Sequence, residues 1–273
     1  MTVAEALAQA RAAGLARLEA QLLLAQLLQC DRSWLIAHDD ATVPPALSAR
    51  FADWLAQRLD DVPLAYLAGE KEFHGLRLQV SPATLVPRPD TELLVDWALE
   101  LLQASRLAAP RVLDLGTGSG AIALAIKHRC PHAELHASDR SAAALAVAAA
   151  NAQRLGLAVQ FHLGSWWEPF AGQCFDLIVS NPPYIAGDDP HLRALRHEPL
   201  SALTPGGDGL ADLARLAQGA PAHLRPGGHL LLEHGYDQAP AVAAALQATG
   251  FADVASRRDL GDQQRASGGR WPG

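Results

Sequence analysis

The chain has 273 residues, of which 49% are hydrophobic and 19% are charged. This composition is typical of a folded protein with a sizeable core, and it excludes a disordered chain, a collagen-like fibre and a disulfide scaffold. The formal net charge is −7, and residues 1–80 carry seven basic against ten acidic side chains. A protein without a basic domain is a poor candidate for binding duplex DNA on its own.

The sequence carries no pattern typical of a membrane or export signal. No apolar run approaches the roughly 18 residues of a membrane-spanning helix, and residues 1–14 lack the basic and apolar blocks of a secretory signal. The cysteines Cys30, Cys130 and Cys174 are scattered and form no C-x-x-C pair. Such spacing favours free thiols in a reducing compartment. We therefore expect a cytoplasmic protein without a membrane partner.

Residues 1–62 predict a small helical domain. Thr2 and Glu5 have the spacing of a helix capping box. Several leucines recur at helical spacing: Leu15, Leu18, Leu22, Leu23 and Leu27. A proline pair, Pro44-Pro45, ends this part, and a second amphipathic pattern begins at Leu47. We expect these apolar positions to form the core of a helical bundle.

Residues 63–90 have the composition of a linker. Prolines and glycines interrupt two short runs, Glu72–His74 and Leu76–Val80, which flank Gly75. Two such runs around a glycine predict a β-hairpin. The sequence therefore divides into a helical domain (1–62), a hairpin linker (63–90) and a third region (91–273).

The third region alternates between strand-like and helix-like segments. The predicted strands are Arg111–Leu115, Ala133–Ser138, Ala158–Leu163, Phe175–Ser180, His229–Glu233 and Asp253–Arg257, and the predicted helices are Ser119–Lys127, Ala142–Leu155, Leu210–His223 and Ala239–Thr249. This alternation is typical of an α/β fold with a mainly parallel sheet that helices cover on both faces.

A glycine-rich segment, Asp114–Gly120, lies where the first of these strands ends and a helix begins. Glycines at such a turn let the backbone approach a ligand closely. Gly116, Gly118 and Ala121 also satisfy the loose dinucleotide pattern. The Asp114 carboxylate would repel a pyrophosphate and attract a cationic ligand without phosphate, such as S-adenosylmethionine. Asp139, at the end of the next strand, could accept the ribose hydroxyls of either cofactor.

The tetrapeptide Asn181-Pro182-Pro183-Tyr184 directly follows the strand Phe175–Ser180. In an open α/β sheet this strand lies beside the first one, so the tetrapeptide should face the glycine-rich loop. The asparagine carbonyl and a proline-locked backbone carbonyl offer two acceptors to a planar NH2 group, and the tyrosine offers a flat face. Hydride transfer has no need of such a site, which argues against a dehydrogenase.

These motifs resemble those of class I S-adenosylmethionine-dependent methyltransferases that act on planar amino nitrogens. More narrowly, the chain resembles the peptide chain release factor N5-glutamine methyltransferases (PrmC type). The matching runs are Pro87–Glu92, Asp114–Leu124, Ser180–Ile185, Glu198–Leu203, Gly206–Leu210 and Leu230–Gly235. The resemblance implies a seven-stranded sheet whose last strand, within Gln263–Trp271, is antiparallel. It also implies that the N-terminal helical domain docks the substrate.

The resemblance assigns roles to individual residues. The cofactor loop would be Gly116, Thr117, Gly118, Ser119 and Gly120, with Asp139 on the ribose. Trp166 matches an adenine-contacting position, although its neighbour Trp167 leaves the register open by one residue. Asn181, Pro182, Pro183 and Tyr184 would hold the substrate glutamine, with Asn181, Pro182 and Tyr184 catalytic and Asn181 also against the cofactor. The sequence assigns no role to Arg88, Glu92 or His234.

The expected activity is methyl transfer from S-adenosylmethionine to the side-chain amide nitrogen of the glutamine in a Gly-Gly-Gln motif of peptide chain release factors. The product would be S-adenosylhomocysteine. We expect a monomer with no metal and no DNA partner, and we expect His128, His132 and His136 to be ordinary surface histidines. Two alternatives stay open: an adenine or cytosine amino-methyltransferase that shares the tetrapeptide, and a non-catalytic cofactor-binding adaptor.

Overall fold

The computed structural model describes residues 1–273, which divide into two units, Met1–Gly69 and Glu70–Gly273. The first unit contains the helices α1 (Val3–Ala12), α2 (Arg17–Leu28), α3 (Arg32–Ala37), α4 (Pro45–Leu59) and α5 (Leu64–Ala68). Helix α1 begins at the predicted capping box. The Thr2 hydroxyl accepts from the Glu5 N–H, and the Glu5 carboxylate accepts from the Thr2 N–H at 2.8 Å. This prediction is confirmed.

The core of the first unit lies between α2 and α4. Leu23 packs there with Phe51 and Trp54, all nearly inaccessible to solvent. Two leucines expected in this core are outside it, because Leu18 is 51% and Leu22 is 38% exposed. Residues four apart on a helix share one face, and this face of α2 is turned to solvent.

The second unit begins with the predicted hairpin. Strands β1 (Glu70–Phe73) and β2 (Leu76–Gln79) pair antiparallel, with Phe73 opposite Leu76 across the turn. Gly75 has a φ of 79°, which is the left-handed conformation that glycine adopts without strain. The division of the chain at residues 62 and 90 stays a prediction, although the hairpin belongs to the second compact unit.

A seven-stranded sheet forms the centre of the second unit. Its strands are β3 (Arg111–Leu115), β4 (Glu134–Asp139), β5 (Gln160–Leu163), β6 (Phe175–Ser180), β7 (Leu224–Glu233), β8 (Ala252–Arg258) and β9 (Gln264–Arg270). Their order is β5-β4-β3-β6-β7-β9-β8, and β9 runs antiparallel to both of its neighbours. The predicted α/β fold and the antiparallel last strand are confirmed.

Helices cover both faces of this sheet. They are α6 (Glu92–Ser105), α7 (Ala121–Arg129), α8 (Ala142–Leu155), α9 (Ala211–Gly219) and α10 (Ala239–Thr249), and α6 was not predicted from the sequence. Successive residues of β3 enter opposite cores: Val112 packs with α6 and α7, and Leu113 packs with α9 and α10. None of the helices combines the length and the apolar character needed to cross a bilayer.

A buried side chain on α8 ties the hairpin to the glycine-rich loop. The Asn151 Oδ1 accepts from the Gln79 N–H at 2.7 Å, and its Nδ2 donates to the Gln79 carbonyl at 2.9 Å. The same Nδ2 donates to the Ser119 carbonyl at 3.0 Å. Asn151 therefore bonds to the N–H and the carbonyl of Gln79, which β2 would otherwise pair with another strand.

Replacing Asn151 by alanine should destabilise the fold. The change leaves an N–H and two carbonyls of the backbone without partners in a buried place, so the free energy of unfolding should fall by about 2–4 kcal/mol. Gln153→Ala, at an exposed position of the same helix, should change it by less than about 0.5 kcal/mol. Urea unfolding of both variants tests this, and equal effects would contradict the role given to Asn151.

Candidate active site

The carboxyl ends of β3, β4, β6 and β7 meet at one edge of the sheet, and the predicted motifs follow these ends. After β3 the chain turns through Gly116, Gly118 and Gly120, whose φ angles are 73°, 56° and 85°. The N–H groups of Gly116 and Thr117 both donate to the Ser138 carbonyl at 2.9 Å. These bonds hold the loop across the end of β4, as its position in a parallel sheet predicts.

Asp114 lies beneath this loop and is fully buried. Its Oδ2 accepts from the Thr117 hydroxyl at 2.6 Å and from the Ala123 N–H at 3.2 Å, while Oδ1 has no partner. Burial raises the pKa of Asp114 to about 7. The expectation that this carboxylate faces a cationic ligand is not supported, because Asp114 does not line the cleft above it. It braces the loop from below.

Asp139 ends β4 and faces the cleft. Its Oδ2 accepts from the Gly118 N–H at 2.9 Å, and its Oδ1 accepts from the Ser141 N–H at 2.9 Å. The cap of α8 is the Ser141 hydroxyl, which accepts from the Ala144 N–H. The carboxylate is therefore held by two backbone donors, and its remaining lone pairs are available to a ligand.

The two adjacent tryptophans have different surroundings. Trp166 lines the cleft, donates through Nε1 to Asp212 at 3.2 Å, and lies so close to Gly116 that a Cβ there would be 3.3 Å from its ring. Trp167 stacks on His223, with ring centroids 4.8 Å apart, and packs against α9. Of the two registers that the sequence left open, the structure places Trp166 in the cleft.

A cleft joins these elements. It is lined by the predicted residues Gly116, Thr117, Gly118, Ser119, Asp139, Trp166, Asn181 and Pro183, together with residues from 83–91, 199–202 and Asp212. Gly120 is buried behind the loop, where a Cβ would meet Leu124 at 3.0 Å. The close approach explains why glycine stands at this position.

The tetrapeptide after β6 separates two cavities. Asn181 and Pro183 line this cleft, whereas Asn181, Pro182 and Tyr184 line a second cavity beside it. Both cavities also share Arg88. The Asn181 Nδ2 donates to the Thr91 hydroxyl at 3.2 Å. Its Oδ1 is therefore the end of the amide that is left for a ligand.

A second buried carboxylate, Glu233, lies beneath the tetrapeptide at the end of β7. The Tyr184 hydroxyl donates to its Oε1 at 3.3 Å, and Oε2 has no partner. Burial raises the pKa of Glu233 to about 7. Burial likewise raises the pKa of Tyr184 above its ordinary value, so this phenol stays neutral. Sequence reasoning missed Glu233 and Thr91, although an acidic residue ending the apolar run Leu230–Leu232 was a signal.

The structure gives roles to the three residues that the sequence left unassigned. Arg88 lines both cavities and pairs with the buried Glu198. Glu92 accepts from the His74 N–H at 2.9 Å and so braces the hairpin. His234 is fully buried and joins β7 to β9 through the Ser267 hydroxyl at 2.7 Å. His234 is therefore a structural residue.

The histidines expected at the surface do not all lie there. His136 is only 3% exposed; it stacks on His162 and contacts the Glu134 carboxylate at 3.0 Å. His136 lies in β4, whose four central residues are all buried because helices cover both faces of the sheet. The structure contains no group of three or more His, Cys, Asp or Glu side chains arranged to hold a metal ion.

Two family models match the sequence. The Methyltransferase small domain matches residues 91–234, just over half of the chain, and the PrmC N-terminal domain matches residues 2–69. The release factor glutamine methyltransferase of Bordetella pertussis is 54% identical over 94% of this chain and 95% of its own length. The Escherichia coli protein of the same name is 41% identical over 98% and 96%.

The chain belongs to the release factor glutamine methyltransferase family. The family predicted from the motifs is thus confirmed. Among solved structures, a 16S rRNA methyltransferase from T. thermophilus, in complex with S-adenosylmethionine and guanosine, matches with a TM-score of 0.53 and 20% identity, over 74% of this chain and 49% of that one. This likeness shows the fold. Fold and family together make the chain a methyltransferase and the cleft its candidate cofactor site.

The buried Asp114 should make the stability of the protein depend on pH. Its folded-state pKa of about 7 lies above the ordinary 3.8, so the folded protein holds a proton that the unfolded chain has released. This contribution is fully present below the unfolded pKa and is lost as the pH rises through about 7. As the pH rises from about 5 to 8, the free energy of unfolding should therefore fall less for Asp114→Asn than for the parent protein. Urea unfolding across this range tests the difference, and identical slopes would contradict it.

Proposed function

We propose that the cleft at the end of β3 and β4 binds S-adenosylmethionine. A cleft at the carboxyl ends of the strands is the usual ligand site of an open α/β sheet. The residues fit this ligand: a turn whose glycines leave room for the methionine part, Asp139 for the ribose hydroxyls, and the Trp166 ring for the adenine. When bound, the cofactor supplies an electrophilic methyl group on a sulfonium.

The acceptor amide is proposed to enter the second cavity, which Pro182 and Tyr184 line. The observation that carries this proposal is that Asn181 borders both cavities. A methyl group can pass only between ligands that meet, and Asn181 stands at the place where the cavities adjoin. Tyr184 and Pro182 line the acceptor side alone, as expected of residues that contact the glutamine side chain.

In the proposed reaction the protein has to orient a weak nucleophile. An amide nitrogen attacks poorly because its lone pair is delocalised into the carbonyl. The Asn181 Oδ1 and the Pro182 carbonyl are proposed to accept hydrogen bonds from the substrate NH2, which aims the nitrogen and stabilises the positive charge that develops on it. A bound S-adenosylmethionine would give up its methyl group to this nitrogen, and its sulfur would keep the electron pair of the broken bond. The nitrogen would then release one proton to water.

The substrate is proposed to be the glutamine of a Gly-Gly-Gln motif in a peptide chain release factor. The relatives named above are release factor glutamine methyltransferases over nearly their whole length. The first unit, matched by the PrmC N-terminal domain, is proposed to dock the release factor. The alternatives, a nucleic-acid methyltransferase or a non-catalytic adaptor, are not favoured by these relatives. The enzyme is proposed to act as a monomer in the cytoplasm, where translation supplies its substrate.

Asp139→Ala should weaken cofactor binding. A carboxylate bonded to hydroxyls contributes roughly 1.5–3 kcal/mol, so the Kd for S-adenosylmethionine should rise about 10- to 100-fold. Asp262→Ala removes an exposed aspartate near the β8–β9 turn and should leave the Kd unchanged. Calorimetric titration of both variants measures this, and an unchanged affinity of Asp139→Ala would refute the ribose assignment.

Methyl transfer should be directed to the release factor and should need Asn181. The purified chain is incubated with methyl-labelled S-adenosylmethionine and, separately, a bacterial release factor, its Gly-Gly-Gln glutamine-to-alanine variant, duplex DNA and single-stranded DNA. Label is expected only on the unaltered release factor. Asn181→Ala should slow transfer by about 10²–10³-fold while keeping most of the cofactor affinity.

Three results would overturn this function. They are label on either DNA at a comparable rate, undiminished label on the loop variant, and near-normal turnover by Asn181→Ala. Absence of label on every substrate would favour the adaptor.

A further inference from the structure

The backbone carbonyl of Tyr184, the last residue of the tetrapeptide, is held by a side chain from a distant part of the sequence. This carbonyl accepts from the Gln238 Nε2 at 2.9 Å. Gln238 directly precedes α10 and occupies its N-terminal cap position, but its side chain makes no capping bond to the helix. The amide of Gln238 is therefore used for the tetrapeptide and not for the helix.

A second hydrogen bond fixes the direction of the first. The Gln238 Oε1 accepts from the Gly235 N–H at 2.8 Å. A backbone N–H only donates and a backbone carbonyl only accepts. The oxygen of the Gln238 amide must therefore face Gly235, and its NH2 group must face Tyr184. Reversing the amide would break both bonds.

Gly209 packs directly against the bond between Gln238 and Tyr184. A Cβ at this position would overlap the Tyr184 carbonyl oxygen and would lie 3.0 Å from the Gln238 Nε2. The φ of Gly209 is 81°, which is also the left-handed conformation that glycine adopts without strain. Glycine is therefore required here, and the backbone at residue 209 leaves the Tyr184 carbonyl no room to move toward it.

The peptide bond that follows Tyr184 is held at both of its polar groups. Gln238 bonds to the Tyr184 carbonyl, and the Ile185 N–H donates to the Leu203 carbonyl at 2.9 Å. The side chain of Tyr184 is held separately, through its hydroxyl, by Glu233 at 3.3 Å. Tyr184, Ile185 and Leu203 all line the second cavity. Gln238 lines neither cavity, so it acts on the second cavity only through Tyr184.

We propose that Gln238 is a positioning residue for methyl transfer, which holds Tyr184 where the acceptor amide contacts it. This inference rests on the proposed function, because it needs the acceptor to enter the second cavity. Without the donor from Gln238, the Tyr184 carbonyl loses its partner and the tyrosine shifts relative to Asn181. A shift of about 1 Å in a residue that orients a substrate can cost about 100-fold in rate.

The test compares Gln238→Glu with Gln238→Met in methylation of a release factor. Glutamate keeps the shape of glutamine and still accepts from the Gly235 N–H, but its carboxylate has no proton to donate to Tyr184. Methionine has a similar length and makes neither bond. Both variants should lower kcat by about 10- to 100-fold. The KM for the release factor should stay within about threefold, because the lost interaction serves the transition state and not the docking of the substrate.

Calorimetric titration with S-adenosylmethionine separates positioning from general damage to the fold. Because Gln238 does not line the proposed cofactor cleft, both variants should bind one cofactor per chain with the Kd of the parent protein. The matched control is Gln247→Glu, which introduces the same charge at an exposed position of α10. This control should keep the kcat of the parent protein.

The parent protein tests the proposed function itself, because its failure to methylate the release factor would refute that function. With an active parent protein, three outcomes would overturn the role of Gln238. The first is a Gln238→Glu or Gln238→Met variant as fast as the parent protein; for glutamate, this would mean that only the bond to Gly235 matters. The second is a loss of cofactor binding as large as the loss of kcat. The third is an equal loss of kcat in Gln247→Glu, which would indicate an effect of charge alone.

Discussion

A buried carboxylate beneath each ligand loop is the interaction on which the site depends. Asp114 lies under the glycine-rich loop and Glu233 under the tetrapeptide, and each is nearly inaccessible to solvent with one oxygen unpaired. Such groups are costly to bury unless donors surround them. Each loop supplies one such donor: the Thr117 hydroxyl for Asp114 and the Tyr184 hydroxyl for Glu233. The carboxylates thus tie each loop to the strand that carries it.

The sheet explains why two such loops face each other. Strands β3 and β6 are neighbours and run parallel, with Leu115 opposite Ser180. The Ser180 hydroxyl donates to the Leu115 carbonyl at 2.7 Å, directly before the two loops begin. Because both strands end at the same level, the glycine-rich loop and the tetrapeptide border one cleft. The hairpin is held to the same region by Asn151, which bonds to both Gln79 and Ser119.

Rigidity at this edge has a chemical purpose in the proposed reaction. The acceptor nitrogen is a poor nucleophile, so the protein gains rate mainly from holding it in line with the methyl group and from acceptors already in place. Asn181 is held by Thr91, and Arg88 is held by the buried Glu198. Neither side chain has to reorganise when a ligand enters.

The sequence alone determined the fold class, the hairpin and the two loops, because these depend on periodicity, turn residues and local motifs. The antiparallel last strand was expected only from the resemblance to the family. It did not determine helix α6, whose apolar residues form one buried face only when the helix packs on the sheet. It also did not determine that Leu18 and Leu22 face the solvent. The choice of Trp166 over Trp167 and the pairing of Thr91 with Asn181 also needed the tertiary structure. Thr91 and Asn181 are ninety residues apart, and no local pattern encodes a hydrogen bond between them. The two side chains come together because the start of α6 and the end of β6 lie at the same edge of the sheet.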